Sequence, residues 1–177
     1  ESPKLAFFPG LNDPTYIYRD PIELDTELKN KWGESGDARA FRAAEAKIIN
    51  FIQSGYQKAR TPSIDEAKSS LGSDLVKLWI TGDARSLMNH YFESDFSKIY
   101  MAMTVTESGP VSLSEKYSAF TIPIMDSGSI FKGYYGFVYQ GIWNLTQMLS
   151  NINIDLGIDL RLSSSLVDKD LDNKKIL

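Results

Sequence analysis

Residues 151 to 162 alternate polar and aliphatic side chains at all twelve positions, and this pattern constrains the fold more than any other feature of the sequence. Successive side chains of a β-strand point to opposite faces, so the alternation predicts one long strand with a buried aliphatic face and a solvent-exposed polar face. At about 3.3 Å per residue the strand would be roughly 40 Å long, well beyond the usual length of about five or six residues. The segment therefore predicts an antiparallel sheet that is solvated on one side.

Length, charge and cysteine content limit the classes of protein that need to be considered. The 177 residues are enough for one domain with its own hydrophobic core. The net charge is −4 and no stretch concentrates Lys or Arg, so we expect no nucleic-acid partner. The absence of cysteine excludes disulfides and thiolate chemistry. Because the sequence starts at Glu1 rather than Met, a periplasmic, cell-surface or secreted location is the favoured expectation.

Residues 1 to 21 hold four of the seven prolines, interleaved with large apolar side chains. Proline excludes regular helix there, so we predict an extended arm that lays its aromatic side chains onto a neighbouring surface. That surface would belong to the same chain, as is usual for a terminus, or to another subunit. The aromatic residues of the arm that are candidates for such contacts are Phe7, Phe8, Tyr16 and Tyr18.

Three helix starts follow the arm. Asp37 is a good N-cap for an Ala-rich run with helical periodicity. Ser63 and Glu66 have the spacing of a capping box for a second helix, in which Gly72 would weaken the middle. Asp83 begins a third and shorter helix. The segment from 37 to about 96 is therefore predicted to be helical.

From about residue 97 the pattern becomes strand-like. Alternation over 100–106 and over 120–124, with turn residues between them, predicts two further strands. Residues 130–149 fit either structure, and strand is favoured because aromatic residues dominate and three glycines would weaken a helix. The helical alternative rests on the spacing of Tyr135, Val138, Ile142, Leu145 and Leu149.

Helices followed by long strands indicate an α+β fold. In the predicted fold, an N-terminal extended arm and two or three helices pack on one face of a curved, mainly antiparallel sheet formed by the C-terminal half. The predicted organisation is an arm at 1–21, a single α+β domain at 22–162, and a polar, mobile tail at 163–177.

His90 is the only histidine, so any His-dependent acid–base catalysis must use it. Asp83, Glu93 and Asp95 lie near it in sequence and could orient its imidazole. One histidine without cysteine is a poor set of zinc ligands, and no calcium loop or nucleotide-binding glycine pattern is present. We therefore expect no metal and no cofactor.

The aromatic stretch from 131 to 143 is the best candidate for an interaction surface. A strand here would carry aromatic side chains on both faces, which is more than a single core needs. The residues concerned are Tyr134, Tyr135, Phe137, Tyr139 and Trp143.

Three hypotheses on function follow. The favoured one is a non-enzymatic structural or assembly subunit that joins other protein subunits, or copies of itself, through the arm and an exposed sheet edge. The second is a cone-shaped small-molecule-binding domain or acid–base enzyme with His90 in an aromatic-lined pocket. The third is a membrane-active protein that uses residues 130–162 as a β segment, although a membrane surface is less favoured than a protein partner.

Overall fold

The computed structural model divides the chain into two compact units, residues 1–134 and residues 135–177. The residues that the structure describes are 4–107, 109–127, 138–165, 169–170 and 175–176.

The larger unit begins with a short antiparallel hairpin and continues as a series of helices. The hairpin strands are β1 (Lys4–Ala6) and β2 (Thr15–Ile17). The helices are α1 (Pro21–Trp32), α2 (Ala38–Gln57), α3 (Ile64–Leu71), α4 (Ser73–Leu75), α5 (Ala84–Tyr91), α6 (Asp95–Ala102), α7 (Thr104–Glu107) and α8 (Thr121–Ser127). A π-helical turn, Val76–Ile80, extends α4, and a 3₁₀ turn, Ser118–Phe120, precedes α8.

The smaller unit contains one longer helix, α9 (Ile142–Asp155). It also contains two strands of two residues each, β3 (Lys169–Asp170) and β4 (Lys175–Ile176), which pair antiparallel. These two strands lie within the segment that the sequence indicated as a polar tail.

The three predicted helix starts are confirmed. The carboxylate of Asp37 accepts the backbone N–H of Ala40 at 2.8 Å and caps α2. Ser63 and Glu66 form the reciprocal capping box at α3, because each side chain accepts the backbone N–H of the other. Asp83 caps α5 in the same way as Asp37 caps α2. These starts depend on residues within one turn of the helix, which is why the sequence alone reveals them.

Gly72 ends the second predicted helix instead of weakening its middle. Its φ of 86° lies in the region that favours glycine, and its N–H donates to the carbonyl of Lys68 at 2.9 Å. The chain resumes helical geometry at Ser73. The apolar pattern on both sides of Gly72 therefore belongs to two helical segments.

The predicted α+β fold with a curved antiparallel sheet is wrong. The chain is mostly helical, and the strands among its described residues form only two-stranded antiparallel pairs. Residues 100–102 lie in α6 and residues 104–106 lie in α7, where Met101 and Val105 are buried one helical turn apart. Residues 120–124 lie in the 3₁₀ turn and α8. At both places packing of one helical face overrides the β propensity of the individual residues.

The long strand predicted for residues 151–162 is also wrong. Asn151 to Asp155 form the last part of α9, and residues 158–162 are in no strand that pairs with another described residue. Side chains that alternate with period two also recur at every fourth position, so Ile152 and Leu156 fit a helical face as well as a strand face. The helix ends where Gly157 takes a φ of 77° and donates to the carbonyl of Ile154 at 2.9 Å. The helical alternative for 130–149 is correct from Ile142 onward, and residues 128–137 lie outside the described residues.

The core of the larger unit is organised around Phe41 on α2. Its ring lies 4.9 Å from Trp79, 5.1 Å from Phe92 and 5.5 Å from Tyr91, measured between ring centroids. The indole N–H of Trp79 donates to the hydroxyl of Tyr91 at 3.2 Å, so the polar atoms of this cluster are also paired. Aromatic burial on this scale supplies much of the hydrophobic stabilisation of a small domain.

The N-terminal arm folds back as the β1–β2 hairpin, and Lys4 pairs with Ile17 in its register. The backbone N–H of Tyr16 donates to the carboxylate of Glu27 on α1 at 3.0 Å. Ala6 and Ile17 are buried in the core of the same chain. The described part of the arm is therefore docked on its own unit.

Candidate functional site

Glu34 is a buried carboxylate that connects two distant parts of the larger unit. It follows Gly33, whose φ of 62° ends α1 and turns the chain toward α2. Its carboxylate accepts the backbone N–H of Gly36 at 2.7 Å, of Glu93 at 2.8 Å and of Ser94 at 3.3 Å. Glu34 thus fixes the α1–α2 connection against the α5–α6 connection.

The same contacts determine the ionisation of Glu34. Burial would raise its pKa, but the nearby Ser97 side chain and the hydrogen bonds from the backbone N–H groups of Glu93, Gly36 and Ser94 outweigh this effect. The pKa of Glu34 therefore lies below its ordinary value of 4.5. Glu34 is a charged structural link at neutral pH.

A second buried carboxylate, Asp25, joins α1 to α2. Lys29 donates to Asp25 Oδ2 at 2.9 Å from one turn further along α1, and Arg39 on α2 lies 3.1 Å from the same oxygen. The side chain of Asp25 is almost completely buried, whereas Lys29 and Arg39 are half exposed. The charge of Asp25 is therefore balanced within the fold.

His90 lies at the edge of an open groove of about 540 Å³ beside these carboxylates. It is exposed near the end of α5, and its ring meets the ring of Tyr91 edge-on at 4.6 Å. The residues lining the groove are Asp25, Lys29, Ser35, Gly36, Asp37, Arg39, His90, Tyr91 and Glu93. The lining is thus polar and charged except for Tyr91.

The acidic residues near His90 in sequence make other contacts in the structure than the predicted ones to the His90 imidazole. Asp83 accepts the backbone N–H and the hydroxyl of Ser86 at 2.8 Å each, and the backbone bond lowers the pKa of Asp83. Asp83 is therefore the cap of α5. Glu93 lines the groove with His90, and Asp95 begins α6. Among the described residues no group of three or more His, Asp or Glu is placed to hold a metal ion.

The candidate contact residues of the arm differ in where they lie. Phe8 packs edge-on against Trp32 at 5.4 Å and against Phe96 at 5.0 Å, so it is partly buried against the core. Tyr18 is half-buried against the same core. Phe7 is 73% exposed and Tyr16 is 42% exposed. Phe7 and Tyr16 are therefore the arm residues that present an aromatic surface to solvent.

The second group of candidate contact residues lies near or in α9. Tyr139 and Trp143 are 82% and 68% exposed, respectively. Tyr134, Tyr135 and Phe137 lie outside the described residues.

Helix α9 exposes an unusually large amount of apolar surface. None of its residues is buried, and its large apolar side chains are between 45% and 79% exposed. Counting from Ile142, apolar residues follow at intervals of three, four, three and four, and this row is here called the α9 seam. The α9 seam consists of Ile142, Leu145, Leu149, Ile152 and Leu156. Intervals of three and four are typical of a helix that packs lengthwise against another helix.

The surroundings of the α9 seam carry little charge. Between residues 138 and 160 the sequence has no Lys or Arg, and its acids are Asp155 and Asp159. Arg161 pairs with Asp159 at 2.8 Å. Trp143 and Ile154 lie on a different side of α9 from the seam and are also exposed. The helix therefore offers apolar contacts in two directions.

Two features of the site escaped the sequence analysis for different reasons. Helical spacing of Ile142, Leu145 and Leu149 was the alternative for 130–149, but the alternation over 151–162 assigned Ile152 and Leu156 to a strand, so the α9 seam was not recognised as one row. Glu34 gives no local signal, because its partners Glu93 and Ser94 are 59 and 60 residues away.

The chain matches no protein family, and no match to it was found among the curated proteins or among the solved structures. Within the described part of the chain, no helix has both the length and the hydropathy needed to cross a bilayer.

Proposed function

We propose that this chain is a non-enzymatic structural or assembly subunit that acts through protein–protein contacts, with its own copies as the first partner to test. The observation that carries the proposal is the α9 seam, together with the exposed Trp143 and Ile154. A monomer rarely exposes a continuous apolar patch of more than a few hundred Å², and larger patches mark interaction surfaces.

The size of the hydrophobic effect supports association of moderate strength. Complete burial of a large aliphatic side chain contributes about 1.5–3 kcal/mol of stabilisation. Burying the rest of a half-exposed side chain in an interface would therefore contribute about 1 kcal/mol more. Burial of the five seam residues on each of two copies would therefore contribute about 10 kcal/mol to the free energy of association. The loss of translational and rotational freedom on association costs about 4–15 kcal/mol, which is comparable. We therefore expect association that depends on concentration.

The charge around α9 favours a protein surface over a membrane. Helices that lie on membranes usually carry Lys and Arg on their polar face, which attract anionic lipids. The only charged side chain within α9 is Asp155. The polar face of α9 instead carries amide and hydroxyl groups such as Asn144, Gln147 and Asn151, which suit the rim of a protein interface.

The contacts of the two buried carboxylates, Asp25 and Glu34, support a structural role for them. Asp25 is paired with Lys29 and Arg39, and Glu34 is occupied by three backbone N–H groups. These contacts hold α1, α2 and the α5–α6 connection together. Stable attachment of these elements is what an assembly subunit needs to present its contacts in a fixed geometry.

The proposal is tested by light scattering of the full chain over a wide concentration range, with two matched variants. Leu149→Asp places a charge in the α9 seam, whereas Asn151→Asp places the same charge on another face of the same helix. We expect the wild-type mass to rise with concentration. We expect L149D to weaken association about thirty-fold or more, because a charge would be buried in an apolar contact, and N151D to behave like the wild type.

Two results would contradict the proposal. One is a wild-type chain that stays monomeric at every concentration. The other is a wild-type chain that floats with phospholipid vesicles while L149D does not. That result would assign α9 to a membrane surface.

A further inference from the structure

We propose that α9 pairs with α9 of a second copy in an antiparallel, two-fold symmetric arrangement centred near Gln147. This inference rests on the proposed assembly function and adds the identity and the orientation of the partner. Two observations carry it, namely the order of residues in the α9 seam and the charge at the two ends of the helix.

The core of the α9 seam reads the same in both directions. From Ile142 the order is Ile, Leu, Leu, Ile with intervals of three, four and three, and the order and intervals from Ile152 backward are identical. A two-fold interface is self-complementary, so that residue i contacts residue j while j contacts i. An antiparallel pair centred near Gln147 therefore places Ile142 opposite Ile152 of the second copy, and Leu145 opposite Leu149 of the second copy.

Two further apolar residues flank this core. Four apolar levels align within the helices, and in the same register Leu156, just after α9, falls at the level of Val138 of the second copy, which lies before α9 begins. Leu156 is 73% exposed and Val138 is half-buried. Met148 flanks the α9 seam at its centre and is half exposed, so it can cover the edge of the contact.

The seam would also permit a parallel pair, and the charges decide between the two orientations. In a parallel pair the Asp155 side chains of both copies would lie at the same level, at the carboxyl ends of both helix dipoles, which is unfavourable. In the antiparallel pair Asp155 lies opposite residue 139 of the second copy, just ahead of the first turn of the other α9. That turn follows Gly141, has no side-chain cap and contains no acid, so the positive end of its helix dipole favours a carboxylate.

The dimensions of α9 set the expected strength of this pairing. Its 14 residues span about 21 Å, so one pair of these helices buries less than the ~800 Å² per partner of a standard stable interface. We therefore expect a dimer in reversible exchange with the monomer.

Disulfide trapping in the full chain tests the orientation without background, because the chain has no cysteine. The variants are Ile142→Cys and Ile152→Cys, one of them carrying a mass tag, with Asn151→Cys as a control for random collision. They are oxidised separately and as an equal mixture, at a concentration at which the wild type associates. Reduced samples are first checked by light scattering for wild-type mass.

The antiparallel pair predicts a mixed disulfide between I142C and I152C. In that pair two copies of residue 142 are separated by about ten residues, or about 15 Å along the axis, whereas a disulfide needs Cα atoms about 4.4–6.8 Å apart. We expect the mixed product in at least about five-fold excess over either homodisulfide, because only residues 142 and 152 of opposite copies come within that range.

A second variant tests the charge argument independently of cysteine. Asp155→Asn should weaken the antiparallel dimer roughly three- to thirty-fold, since two helix-terminus interactions of about 0.3–1 kcal/mol each are lost. In a parallel pair the same change should strengthen association, because it removes a like-charge contact.

The outcomes separate this inference from the proposed function. Homodisulfides of each single variant without the mixed product would show parallel pairing and overturn the inference while the assembly function stands. Wild-type association without any of these disulfides would also overturn it. A wild-type chain that remains monomeric would overturn both.

Discussion

The carboxylate of Glu34 accepts the backbone N–H of Glu93 at 2.8 Å, which joins two chain segments 59 residues apart. The same carboxylate binds the N–H groups of Gly36 and Ser94. Through these bonds one side chain fixes how the first two helices meet the pair α5 and α6.

Glu34→Gln is expected to destabilise the larger unit by about 1.5–3 kcal/mol at neutral pH, because a charged acceptor of several hydrogen bonds becomes neutral. The pKa of Glu34 lies below 4.5 when folded, so the folded state binds fewer protons than the unfolded state as the pH falls. The stability from Glu34 is thus fully present above pH 4.5 and is lost as the pH falls through the lower, folded-state pKa.

Urea unfolding of the wild type and of E34Q between neutral and acidic pH measures this difference. The gap in the free energy of unfolding should be largest at neutral pH and should narrow below pH 4.5. The exposed Glu115→Gln is the matched control and should leave the free energy unchanged at every pH. A constant gap for E34Q would show that its charge contributes nothing.

Gly36 is expected to tolerate no side chain. A Cβ atom at this position would lie 2.1 Å from the carbonyl oxygen of Tyr91, which also accepts the N–H of Asp37 at 2.8 Å. Gly36→Ala should therefore cost about 1–3 kcal/mol or more in thermal or urea unfolding, since the backbone must move apart. Ser35→Ala, next to it and exposed, should have little effect. Equal stability of the two variants would contradict this close approach.

Phe7 and Phe8 are neighbours in sequence, but replacing them by alanine is expected to change the stability by very different amounts. Phe8 packs against Trp32 and Phe96, so Phe8→Ala should lower the free energy of unfolding by about 2–3 kcal/mol, somewhat less than for a fully buried ring. Phe7 is mostly exposed, and Phe7→Ala should stay within about 0.5 kcal/mol of the wild type. A large loss with F7A and none with F8A would reverse the assignment of the two rings.

The sequence was informative where a structure depends on near neighbours. The caps at Asp37, Ser63 and Asp83 each act within one turn, and all three helices begin as predicted. The arm was correctly predicted to lack helix, because its prolines forbid it locally. It forms the β1–β2 hairpin, and α1 begins only at Pro21.

The sequence was misleading where two periodicities coincide or where distant segments meet. Ile152 and Leu156 satisfy both a strand and a helix, and the preceding turns of α9 decide in favour of the helix. Val105 has a β-branched side chain typical of strands, yet it is buried with Met101 on one face of α6 and α7. The bonds of Glu34 to the α5–α6 connection depend on the completed fold and leave no local pattern.

The most direct test of the account is hydrogen exchange of the full chain, measured peptide by peptide at low and high protein concentration. An unassociated helix of 14 residues without buried side chains should exchange quickly. If copies meet through the α9 seam, exchange within 142–155 should slow by about ten-fold or more at high concentration, while exchange in α2 stays the same. A rise in mass without any slowing in 142–155 would contradict the account.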